Sequence, residues 1–307
     1  MFEISRTVVS MSTAGVLVIV AGVAARRNGL TRGSLTDRAI ALGRVFVAAP
    51  LATFGALHLA AASGLMGMVP VYMPWHLFWV YVVGFGLIAT ALSLIFDRFV
   101  FWSGLLCGAM FLLFVAMLDI PAVAGGQHDR FAFTLVAREA VFGCGLLALA
   151  ASSGARRSGL DSGLDAWLRL LVTPCRIVIG VTAVFYGVQH WLHPEFLPGV
   201  PLEKLTAAWV PVPRLWGYAM GTVLVVTGFL IAANLKARQT AAWLGIALVV
   251  TEIFLYLPML GPAHGTDQVV EAINYIFDTL LFAGTALILG EALGRMQTGV
   301  GNQARLD

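Results

Sequence analysis

Charge is scarce in this sequence: 11% of its 307 residues are Asp, Glu, Lys or Arg, against roughly 25% in a soluble domain. With 59% hydrophobic residues, the chain cannot cover itself with polar surface, and a water-soluble globule is excluded. Cysteine is scarce as well. Cys107, Cys144 and Cys175 lie in apolar runs without a C-x-x-C pair or zinc-ligand spacing, so they read as small buried hydrophobes rather than redox or metal ligands. There is no G-x-G-x-x-G phosphate loop and no flavin motif. The net charge of +3 is spread over loops and points to topology, not to a nucleic-acid partner. What is abundant is long apolar stretches, so the first partner is the lipid bilayer.

A span needs about 20 mostly apolar residues. Nine segments qualify: 8–25, 39–62, 74–96, 99–119, 131–153, 170–192, 214–234, 240–260 and 271–293. The loops holding Arg26, Arg27, Arg32 and Arg38, then Arg98, then Arg156, Arg157 and Arg169, then Lys236 and Arg238, and the tail with Arg295 and Arg305 all fall on one side. By the positive-inside bias that side is the cytoplasm, so the N-terminus is outside and the C-terminus cytoplasmic. The first segment is read as a retained span, because cleavage after it would leave Arg26 and Arg27 outside.

The chain is built twice. Arg44, Phe54-Gly55 and His58 recur as Arg176, Tyr186-Gly187 and His190. Trp79-Val80-Tyr81-x-x-Gly84 recurs as Trp216-Gly217-Tyr218-x-x-Gly221, and Phe101-Trp102-x-Gly104 echoes in Ala242-Trp243-x-Gly245. Glu139, six before Gly145, matches Asp278, six before Gly284. Each copy has four spans, so the copies run in the same direction, as parallel repeats about an axis along the membrane normal. The expectation is an all-α polytopic membrane protein with about nine transmembrane helices. It divides into an N-terminal helix (1–30), repeat one (39–153), a cytoplasmic linker (154–169), repeat two (170–293) and a cytoplasmic tail (294–307).

Ionisable groups in hydrocarbon cost at least ~2.5 kcal/mol each and usually face a partner or a cavity. Most of those here are paired across the repeat. His58 and His190 sit near the outer ends of the first spans, with Glu139 and Asp278 deeper on the fourth. Glu252 adds a carboxylate in the second copy only, and Arg138 is placed to balance Glu139, Glu252 or Asp278. Imidazole next to carboxylate suits proton relay, which makes His190, Asp278, Glu252, Glu139 and His58 the candidate catalytic set. Trp216, Tyr218, Tyr186 and His193 are candidates for lining a cofactor pocket. The same residues also read as interfacial anchors and structural hydrogen-bond partners. Arg44 and Arg176 read as snorkelling to inner phosphates. Two imidazoles at equal depth raise axial ligation of haem b, but neither copy has the second, lower His of a transmembrane haem pair. His76 and His128 have no repeat partner. The run His193-Pro194-Glu195-Phe196-Leu197-Pro198-Gly199-Val200-Pro201 reads as a structured re-entrant turn with no charged counterpart in copy one, and no span reads as broken in its middle.

Arg176, Tyr186-Gly187, the His193-Pro194-Glu195-Phe196 turn and the stretch from Trp216 to Gly228 together resemble the DoxX-like membrane proteins. The likeness covers 170–293 well and 39–153 weakly. It implies four-span bundles, here in tandem, in a bacterial-type plasma (inner) membrane. It also implies a quinone-linked redox subunit with a soluble or membrane redox partner, quinone being the expected cofactor. Transport of a small solute and a non-catalytic scaffold role are the alternatives.

Overall fold

The structure, a computed structural model, describes residues 5–126, 130–157, 162–200 and 204–303. The described residues are helical apart from connecting turns. They contain no strand, only one bridge between Phe196 and Leu205, and nine of their helical segments are long and apolar enough to cross a membrane. His128 lies outside the described residues.

Helix α1 (Arg6–Leu30) precedes the repeats. Copy one comprises α2 (Leu35–Ala60), a short α3 (Ala62–Leu65), α4 (His76–Phe96), α5 (Val100–Phe114) running on into α6 (Ile120–Ala124), and α7 (Arg130–Arg157). Copy two comprises α8 (Ser162–Leu192), α9 (Pro213–Ala232), α10 (Ala237–Thr251) and α11 (Gly265–Gln303). The expected linker at 154–169 is mostly helix, since α7 reaches Arg157 and α8 begins at Ser162. The expected tail from 294 is also helical, as far as Gln303.

The backbone repeats more regularly than the side chains. Left-handed N-caps open α4 at Trp75 (φ 59°) and α9 at Val212 (φ 48°). The next connections carry left-handed Asp97 and Phe99 in copy one, and Asn234 and Lys236 in copy two. Each pair is 137 positions apart. So are Trp79 and Trp216, whose indoles donate to Pro74 O (3.0 Å) and Pro211 O (3.1 Å). The third helices keep this register. A π-turn at Val115–Asp119 joins α5 to α6, and another at Glu252–Tyr256 ends α10 before a 3-10 turn at Leu257–Leu260. Pro121 and Pro258 follow these turns, and a proline cannot donate to the carbonyl of the preceding turn. Both third spans therefore carry a π-turn at corresponding places, each within one continuous span. The Trp102 and Trp243 echo, 141 apart, is one helical turn out of register.

In the fourth helices the offset is 140. A Cβ on Gly108 would stand 2.9 Å from both Gly143 O and Leu147 Cγ, and one on Gly245 would stand 3.1 Å from Ala283 O and 2.6 Å from Leu287 Cγ. Gly143 thus corresponds to Ala283 and Leu147 to Leu287. On this register Gly145 corresponds to Thr285, and the Thr285 side chain packs on Gly145 at the α7–α11 contact, where a Cβ would stand 2.3 Å from its Cγ2. Equivalent residues meet only at a pseudo-twofold axis, which runs between α7 and α11.

The copies are interlocked around that axis. The first helix of each packs on the fourth helix of the other, α2 on α11 and α8 on α7. Among the described residues α2 makes no close backbone approach to α7 of its own copy. Glycines permit the close crossings within copies: a Cβ on Gly187 would stand 2.6 Å from Gly221 O, and one on Gly55 would stand 2.9 Å from Gly84 O. Helix α1 lies on α2 with Gly22 against Val45. The core between the copies is filled by fully buried Phe142, Leu146, Leu149, Leu281 and Phe282.

Candidate functional site

Arg138 on α7 and Asp278 on α11 form an ion pair of 2.5 Å across the axis. On the 140 register they are equivalent positions, so Arg138, not Glu139, is the counterpart of Asp278. Three more carboxyls gather around the pair. Glu139 is beside Arg138, and Asp119 at the end of the first π-turn lies within hydrogen-bonding reach of Glu139. Glu252, at the start of the second π-turn, faces Asp278. Arg138 enters about 12 Å from the start of α7 and Glu252 about 12 Å from the end of the 3-10 turn at Leu260, at ~1.5 Å per residue. The group therefore lies at one level, below the end of the molecule that carries loops 61–75 and 193–212.

The balance of charge is uneven: among the described residues three carboxyls, Asp278, Glu139 and Asp119, act on the one guanidinium, and Glu252 adds a fourth beside Asp278. Glu252 is 4% exposed and neither of its oxygens has a hydrogen-bond partner. Asp119 Oδ2, Glu139 Oε2 and Arg138 Nε are likewise buried without partners. An ionised carboxylate without donor or cation would cost several kcal/mol in desolvation. Ionised carboxylates only accept hydrogen bonds, so Asp119 and Glu139 can bond to each other only by sharing a proton. The cluster is thus built to hold protons.

Of the candidate residues, Asp278, Glu139 and Glu252 come together, and Tyr186 borders them. The buried Tyr186 hydroxyl donates to Thr134 O (3.0 Å), and its ring meets Phe282 edge-on at 5.7 Å. His190 is fully buried but serves the re-entrant turn: Nε2 lies 3.0 Å from Gly199 N and 2.8 Å from Gly199 O. Buried Leu197 and Val200 anchor this turn, and the Tyr256 hydroxyl donates to Pro198 O (3.0 Å). At φ 140° only glycine suits position 199, and a Cβ there would strike the Tyr256 hydroxyl. The turn plugs the loop end of copy two and rests on Tyr256, one helical turn beyond Glu252.

The remaining candidates lie elsewhere. His58 is on α2, its Nδ1 2.7 Å from Phe54 O, and α7 and α11 separate α2 from α8, so the two imidazoles do not face each other across a haem plane. Trp216 (43% exposed) and Tyr218 (46%) point outward from α9 and line no slot between the copies. His193 sits at the surface, 3.6 Å from Glu195. A cavity of about 290 Å³ opens at the loop end, lined by Trp209, Met259 and the Lys204–Glu271 pair but by none of the candidate residues. The sequence reading missed Asp119 and Tyr256. Their signal was a lone acid and a tyrosine just ahead of span-ending prolines.

The opposite, basic end holds a different arrangement. Arg44 is 2% exposed and does not snorkel. It binds Asp97 (2.5 Å) and grips Glu291 through Nη2 (2.6 Å) and Nε (3.0 Å), while Glu291 also binds Arg295 (2.6 Å). Arg238 binds Asp37 (2.7 Å), again between copies. Among the described residues the counterpart Arg176 meets no acid. It donates to the carbonyls of Ile231 and Ala232 at the end of α9, because the counterparts of Asp97 and Glu291 are Asn234 and Ala151.

Compared with protein-family models, curated proteins and solved structures, the chain matches none.

Proposed function

We propose that this protein is a proton-coupled membrane transporter whose protons reside on the carboxyl cluster between its two repeats. The observation that carries the reading is the pair of matched π-turns. Each repeat carries one at the same place in its third span, with Asp119 at the end of the first and Glu252 at the start of the second, beside the Arg138–Asp278 pair on the pseudo-twofold axis. π-Turns are frequent at functional sites, and buried ionisable groups within spans mark ion and proton pathways. Ion pairs between the copies tie the basic end shut, and the plug at 197–200 covers the other. The positive-inside bias puts the basic end in the cytoplasm of a bacterial-type inner membrane and the plugged end outside.

A quinone-linked reading, as the DoxX-like resemblance implies, draws less support. Its aromatic residues Trp216 and Tyr218 face outward and His190 is engaged with Gly199. Glu252 and Tyr186 retain the chemistry to hydrogen-bond a quinone carbonyl, and lipid extraction of the purified protein tests for one.

The transport reading is tested by the lumenal pH of dye-loaded proteoliposomes when small cationic, neutral or anionic solutes are added outside. Wild type is expected to give a saturable pH change with one of these classes and Glu252→Gln at least roughly tenfold less. A pH change unaltered in Glu252→Gln, with the variant correctly folded, overturns the reading.

A further inference from the structure

We infer that the carboxyl cluster is an exchange site for a small monovalent organic cation of the alkylammonium type, which enters at Glu252 and displaces one proton. The inference rests on the proton-coupled reading above and adds the class of substrate.

Charge balance leads to it. With one guanidinium among four carboxyls, the buried group is neutral when three carboxyls keep their protons. An anionic substrate would meet those acids with the single Arg138 already bound to Asp278. A cation is the charge the cluster lacks, and a second positive charge is accommodated at neutrality only if one proton leaves. The exchange is therefore one for one: a carboxyl O–H bond breaks, its proton goes to solvent, and the carboxylate pairs with the arriving cation.

Glu252 is the entry point because it is the carboxyl with both oxygens buried and unpartnered. The charged group facing it from α11 is Asp278. The other helices against α10 bring apolar groups: Met220 from α9, whose sulfur lies 3.7 Å from Thr251 Oγ1, and Phe46 from α2. The titratable neighbour on its own helix is Tyr256. The Asp37–Arg238 pair between α2 and α10 lies at the other end of the span.

An alkylammonium suits these surroundings better than a metal ion. Leu255, Tyr256, Ile276, Phe277 and Leu280 form the buried apolar cluster on this side. Such walls favour a cation with an apolar body and a weakly held water shell. Among the described residues no three His, Cys, Asp or Glu side chains are grouped to hold a metal.

The test uses the full-length protein in detergent, in weak buffer with a pH-indicator dye. The probe is benzyltrimethylammonium chloride, which has no proton of its own to give. Calorimetry should show saturable binding and the dye about one proton released per cation bound. Sodium chloride should release none, and Glu252→Gln should lose both binding and release. Absence of saturable binding in wild type, while a solute-driven pH change in proteoliposomes still depends on Glu252, overturns the cation inference and leaves the proton-coupled reading standing. Binding without proton release overturns the exchange. Binding and release both preserved in Glu252→Gln remove the site from this cluster.

Discussion

Arg138 and Asp278 occupy the same position in the two repeats and bind each other at 2.5 Å across the pseudo-twofold axis. A duplicated position with opposite charges closes on itself, which one residue type in both copies would not do. Exchanging the charges should therefore restore the pair. Arg138→Asp or Asp278→Arg alone is expected to lower stability by about 3 kcal/mol, the usual loss when one partner of a buried pair is removed. The double exchange should return to within about 1 kcal/mol of wild type. Unfolding in mixed detergent–SDS micelles reads both values. A double variant as unstable as the worse single one would show that the positions are not interchangeable.

Glu252 sets function against stability. Its oxygens are buried without donors, and replacing such a group by an apolar one of similar size removes an unsatisfied polar centre. Glu252→Leu is expected to raise unfolding stability by about 1–2 kcal/mol while abolishing the solute-driven pH change. A stability loss instead would mean that the carboxyl has a structural partner.

At the basic end the two equivalent arginines differ in what they leave behind. Arg44→Met removes the guanidinium shared by Asp97 and Glu291 and leaves Glu291 paired with Arg295, with an expected loss of about 2 kcal/mol from the lost charged hydrogen bonds. Arg176→Met strands only the carbonyls of Ile231 and Ala232 at a helix end, with an expected loss of about 1 kcal/mol. The same micellar unfolding measurement ranks them, and an equal loss would contradict the asymmetry.

The sequence made the spans, their number and the duplication legible, because length and apolarity suffice for a helix in hydrocarbon. The plug was visible in its prolines and Gly199. Three features were not. The Trp216 and Tyr218 motif repeats faithfully yet faces outward, because a span surrounded by lipid and protein alike lacks the amphipathic stripe that orients a soluble helix. The fourth-helix register was drawn one residue off by the shared acidity of Glu139 and Asp278, and only the packing of Gly108 and Gly245 fixes it. The π-turns insert a residue into the helical period without a residue type of their own, so Asp119 stayed hidden until its neighbours were placed.

The exchange of first and fourth helices has a consequence for biosynthesis. Helix α2 leaves the ribosome well before α11, yet a surface it rests on belongs to α11, with all the intervening helices made between them. Throughout synthesis of the intervening segments that flank of α2 must be sheltered by lipid or by the insertion machinery. Either half expressed alone would keep an open seam of the kind that pairs two identical subunits, which is the arrangement expected of the ancestor before its gene doubled.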